Sequence, residues 1–157
     1  MARRRGVRLS AGECRALLAR DGDLLLAAPQ TYMNRSGYAA RCLVERHRLS
    51  PRDLLVVYDE VALPLGRVRL RAHGSSAGHR GIESVLHNLQ TDAVARLRLG
   101  IAPPEGFPPG EDLVDYVLSL FAAAERAAVE EMVGRSADAC ECWAAEGVEA
   151  AMNRFNR

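Results

Sequence analysis

The sequence predicts an α/β protein: one three-layer domain over residues 1–157, with a mixed, mostly parallel sheet flanked by helices. Three observations predict it. Two short apolar runs, LLLAA (24–28) and LLVVYDE (54–60), are bounded by turn residues and apolar on both faces, as strands covered by helices on each side are. Between them, SGYAARCLVERHRL carries Tyr38, Cys42, Leu43 and Leu49 on one helical face, with Ser36 as N-cap. Strand, helix and strand make a βαβ unit with a right-handed crossover. The chain's 157 residues are also enough to bury roughly 70% of the unfolded surface in one core.

The later elements follow from periodicity. RVRLRA (67–72) alternates strictly, placing Val68 and Leu70 inward and Arg67, Arg69 and Arg71 on the other face as a basic stripe. The stretch HGSSAGHRGIESVLHNLQ starts as a Gly/Ser loop and becomes a helix near Gly81, with Ile82, Val85, Leu86 and Leu89 at helical spacing. ARLRLGIA (95–102) predicts another strand with Arg96 and Arg98 outward, and PPEGFPPGED a surface loop. DLVDYVLSLF leads into a long alanine-rich helix closed by Gly147, and VEAAMNRFNR forms a short terminal segment.

Composition excludes several classes. With 48% hydrophobic and 26% charged residues, and no apolar run near the ~20 residues of a membrane span, membrane insertion is not expected. MARRRGVRLS has no apolar segment with a cleavage site, so a cytoplasmic location is expected. All 21 basic residues are arginine, the side chain that grips phosphate in a bidentate fashion. Cys14, Cys42, Cys140 and Cys142 lack zinc-site spacing and read as buried or idle thiols, so neither metal nor cofactor is expected.

Ligands of open α/β sheets bind beyond the carboxyl ends of the strands. Three polar sets fall there: Tyr32, Met33 and Asn34 after the first strand; Asp59 and Glu60 after the second; and the Ser75–Gly81 loop with His79 and Arg80. Each set admits two readings. Asn34 is a helix cap or a ligand-binding amide. Asp59 is a turn residue or the partner of a catalytic base. The GSSAGHRG loop could cradle an anion, although it lacks the order of a nucleotide P-loop, and His79 could cap the helix that follows. The arginine stripe is a solvated face or a nucleic-acid contact.

Taken together and in register, PQTYMNRSG, VVYDEVALPLGRVRLR, GSSAGHRGIESV, RLRLGI and AMNRFN resemble the bacterial peptidyl-tRNA hydrolase family. The resemblance implies a monomeric, metal-free esterase that cleaves peptide from the 3′ ribose of tRNA, with peptidyl-tRNA as partner. It implies that Asp59 orients a general-base histidine. It also implies that Tyr32, Asn34, Arg80, Met33 and His79 meet the substrate's tRNA end. Two departures stand out. The glycine-rich first strand and the Thr-Arg-His-Asn run carrying the family's base have no match, so the chain reads as an N-terminally truncated member of impaired activity. Arg80 stands where asparagine is common. The alternative is a tRNA- or RNA-binding relative without catalysis.

Overall fold

The computed structural model describes residues 1–103, 106–107 and 112–156, so part of the expected loop 103–112 lies outside the described residues. Two compact units emerge, one from residues 1–55 with 72–95 and the other from 56–71 with 96 onward.

The first unit contains a three-stranded antiparallel sheet of β1 (Ala11–Glu13), β2 (Ala16–Asp21) and β3 (Leu24–Pro29). Both hairpins turn on two residues, which demands left-handed backbone. Gly22 supplies it at the second turn (φ 57°), but at the first it falls on Cys14 and Arg15 (φ 51° and 56°). A disulfide from Cys14 to Cys42 ties that turn to α1 (Ser36–Arg46). These two cysteines are therefore not idle thiols. Ala16, Leu18 and Leu43 form the apolar cluster beneath the sheet, with Leu25 packed against it.

The helix α1 packs on α2 (Arg80–Leu89). Gly37 makes the approach close: its amide donates to Ser84 Oγ at 3.0 Å, and a Cβ there would overlap the Ser84 carbonyl. The cap of α1 differs from expectation. Arg35 occupies that position without a side-chain bond, while Ser36 lies inside the helix and its hydroxyl donates back to the Met33 carbonyl at 2.9 Å. His47 is half-buried, with Nε2 3.0 Å from Glu13 and Nδ1 3.3 Å from Arg20.

The second unit holds a sheet in the order β4 (Leu55–Pro64), β6 (Ala95–Ala102), β5 (Val68–Arg71). The α/β expectation holds. The expected βαβ crossover does not form, because β3 and β4 belong to different sheets. The mostly parallel arrangement also gives way, since three of the four neighbouring pairs among the described residues are antiparallel. Alternation in β5 is as expected, with Val68 and Leu70 buried and Arg69 and Arg71 exposed. On β6 it fails. Arg96 is 3% exposed rather than outward, because β6 is the middle strand and is covered.

Beyond β6, α3 (Leu113–Leu118) is anchored by the Tyr116 hydroxyl, which donates to the Ile101 carbonyl at 2.6 Å. The long helix α4 (Arg126–Glu146) ends at Gly147, as expected, and α5 (Val148–Phe155) follows. Met132, Ala137, Ala139, Cys142 and Ala151 make the buried face of this pair. Cys140 and Cys142 are free, and burial pushes the Cys140 thiol up to about 11, leaving it protonated and inert at neutral pH.

Past α5, Asn156 behaves as a one-residue strand along the outer edge of β5. Its Oδ1 accepts from Leu70 N–H at 2.7 Å and its Nδ2 donates to the Leu70 carbonyl at 3.1 Å. Asn156→Ala leaves both Leu70 groups without that partner and is expected to cost about 2 kcal/mol. Urea denaturation checks this; a midpoint unchanged from the parent would show that water replaces the amide at no cost.

Candidate functional site

The loop after β3 is built by local chemistry. Tyr32's carbonyl accepts from Arg35 N–H at 2.9 Å, and Met33–Arg35 form a single 3-10 turn that runs directly into α1. The turn's side chains reach solvent, Tyr32 at 80% exposure and Met33 at 54%. Asn34 is also exposed and does not cap α1.

The loop meets the start of α2 through an absent side chain. A Cβ on Gly81 would lie 2.5 Å from Met33 Sδ and 3.0 Å from His79 Cε1, so glycine is what lets the thioether sit against that turn. His79 caps α2, with Nδ1 accepting from Ile82 N–H at 3.2 Å. The capping alternative for His79 is thus realised, and it fixes the loop that presents Arg80. A recess of about 410 Å³ is lined by Tyr32, Met33, Asn34, Arg35 and Arg80. It offers an aromatic face, an amide that both donates and accepts, and two guanidinium groups that only donate. Such a set suits an anionic ligand carrying a flat ring.

Sequence reasoning missed Arg35, which sits inside the quoted PQTYMNRSG stretch but carried no periodic signal. It also missed the role of Gly81, which a helical pattern marks only as a weak point.

Asp59 lies in the second unit and was expected at a strand's end. It sits instead in mid-strand, because β4 continues through Val61, Ala62 and Leu63 to Pro64. The Asp59 side chain is half-buried, and its neighbour Glu60 points to the opposite face and is buried. Glu60 is satisfied there: Arg98 Nε and Nη2 each reach Oε2 at 2.9 Å, and Ala62 N–H donates to Oε1 at 3.0 Å. Arg98 is therefore not an outward charge either. Burial pushes the nearby Tyr58 phenol above its usual range, partly offset by Arg98. Among the described residues no group of three or more His, Cys, Asp or Glu is placed to hold a metal, and no helix is long and apolar enough to cross a membrane.

The profile of the family described as peptidyl-tRNA hydrolase matches residues 1–157. The chain belongs to the peptidyl-tRNA hydrolase family. A peptidyl-tRNA hydrolase of Synechococcus sp. (strain JA-3-3Ab) is 46% identical over 135 residues, covering 86% of this chain and 59% of its own length. This chain therefore spans less than two thirds of that relative. The peptidyl-tRNA hydrolase of Brevibacillus brevis is 42% identical over 155 residues, 96% of this chain and 80% of that protein. The crystal structure of the Acinetobacter baumannii peptidyl-tRNA hydrolase superposes with a TM-score of 0.88 at 24% identity, covering 99% of this chain and 80% of that one. That similarity establishes a shared fold.

Proposed function

We propose that this chain takes part in hydrolysing the ester between a peptide and the 3′ ribose of tRNA, in the cytoplasm and as a monomer. One observation carries the reading: four residues singled out by the family resemblance, Tyr32, Met33, Asn34 and Arg80, line a single recess. Tyr32 offers its exposed ring to the terminal adenine. Asn34 hydrogen-bonds the ribose or the ester. Arg80 and Arg35 meet phosphate; Arg80 lacks the acceptor that an asparagine would supply. Met33 packs the floor, and His79 holds the loop in place. Asp59 orients a general-base imidazole and stabilises its protonated form. The histidine that the family resemblance pairs with Asp59 matches none of the four in this chain, so slow turnover is expected.

The test uses N-acetylated aminoacyl-tRNA. The chain is expected to retard the tRNA on a native gel and to release acyl group about 10² to 10⁴ more slowly than an enzyme with its base in place. Free imidazole should then accelerate release, and Asp59→Asn should abolish that gain without weakening retardation. Retardation with no response to imidazole would favour the non-catalytic RNA-binding relative. A chain that does not retard tRNA, or whose retardation ignores Tyr32→Ala and Asn34→Ala, would overturn the reading.

A further inference from the structure

The turn between β1 and β2 is held from outside in a backbone it does not favour. Cys14 and Arg15 carry side chains at φ 51° and 56°, a region that two-residue turns normally fill with glycine or asparagine. Two ties keep it there: the Cys14–Cys42 disulfide, and the Arg15 carbonyl, which accepts from Gln30 N–H at 2.7 Å. Both ties lead to the same segment. Gln30 lies just past β3 and Cys42 lies inside α1, and residues 30–42 between them include Tyr32, Met33, Asn34 and Arg35 of the recess. One turn therefore anchors the recess-bearing segment at both ends, at one by a hydrogen bond and at the other by a covalent bond.

The covalent end is open to chemistry, since Cys14 and Cys42 are both only half-buried. Other links join the hairpin to α1 without the sulfurs. Glu13 Oε1 stands 3.1 Å from Arg46 Nε and 3.0 Å from His47 Nε2, and Leu18 and Leu43 share a buried cluster. Opening the disulfide thus frees the turn while the two elements stay assembled. The cytoplasmic location proposed above points the same way, because a disulfide in a reducing compartment is as a rule transient or redox-sensing.

We propose that Cys14 and Cys42 form a site of reversible thiol–disulfide exchange with a small dithiol, and that opening it loosens the segment 30–42. In the exchange a dithiol thiolate attacks one of the two sulfurs, the Cys14–Cys42 bond breaks, and the departing thiolate takes up a proton. The reagent's second thiol then displaces the mixed disulfide. Two electrons pass to the protein, both cysteines end as thiols, and the reagent leaves as its own disulfide. The disulfide form of a small thiol reverses each step. The consequence for tRNA rests on the function proposed for the recess; the exchange and the loosening do not.

The experiment treats the whole folded chain with dithiothreitol, without denaturant, and then with oxidised glutathione. Alkylation and peptide mapping are expected to show Cys14 and Cys42 opening and closing, while Cys140, protonated at neutral pH, and the buried Cys142 stay unlabelled. Hydrogen exchange at the Gln30 and Arg35 amides, bonded to the Arg15 and Tyr32 carbonyls, should quicken by about tenfold on reduction and recover on reoxidation, with α4 unchanged. Retardation of N-acetylated aminoacyl-tRNA should weaken by about fivefold in step. Cys42→Ser should behave as the reduced parent and ignore the reagents, but the reduced parent itself decides the matter if that variant folds poorly. A pair that resists dithiothreitol in the folded chain, or that opens with no change in amide exchange, would overturn the proposal. Faster exchange with equal tRNA affinity in both states would overturn the link to the recess. Faster exchange in a chain that binds tRNA in neither state would support the exchange site and sink the proposed function instead.

Discussion

Gly37→Leu is expected to lower the unfolding free energy by about 3 kcal/mol, through overpacking at the crossing of α1 and α2. The cause is geometric. Gly37 is buried, its amide is bound to Ser84 Oγ, and the space where a side chain would begin is occupied by the Ser84 carbonyl. Backbone cannot rotate aside as the end of a long side chain can, and Asn88 Nδ2, donating to that same carbonyl at 2.9 Å, holds it in place. The helices must therefore separate. Since the Met33–Arg35 turn runs straight into α1, the recess should widen and tRNA retardation should weaken as well. Urea denaturation at unchanged slope reads the first effect and native gels the second. A variant as stable as the parent would show that α1 slides without cost, contrary to the close packing described.

Glu60→Ala is the second large effect, at about 3 to 5 kcal/mol. Glu60 is 8% exposed and faces Arg98, with Arg96 buried on the same strand. Removing the carboxylate leaves a guanidinium uncompensated inside the sheet and takes the acceptor from Ala62 N–H. Glu60→Gln keeps the shape and one carbonyl acceptor, so it should fall between the parent and the alanine variant. If all three unfold at one midpoint, solvent reaches Arg98 and the pair contributes little. Asp59→Asn, one residue away on the opposite face, should leave stability nearly unchanged; a loss like that of Glu60→Ala would assign Asp59 a structural role.

Patterns that depend on one residue's neighbours in sequence were legible. The alternation of Val68, Arg69, Leu70 and Arg71 places each side chain correctly because β5 is an edge strand with one solvated face. The same alternation misleads at Arg96 and Arg98, since the middle strand of a sheet is covered and its cations must find partners inside. β1 and β2 were missed altogether. Their connecting turn uses Cys14 and Arg15 where glycine or asparagine would have announced it, and only the link to Cys42, 28 positions away, makes sense of that choice. The Tyr32–Asn34 loop was readable as a set, while Arg35 and Gly81 acquire meaning only when α1 and α2 are brought together. Asp59 was singled out as a candidate without its mid-strand setting, because nothing in VALP distinguishes a strand that continues from a loop that begins.

Asn156 stands 86 positions after the leucine it clasps. At ribosomal speeds of 5–20 residues per second, roughly 4 to 17 s must elapse between the emergence of β5 and that of its guard. Throughout that interval the outer rim of a young sheet is bare to any other extended polypeptide. Safe maturation of this chain thus depends on timing: crowded polysomes or a premature stop just short of Asn156 would leave the rim open to intermolecular strand pairing.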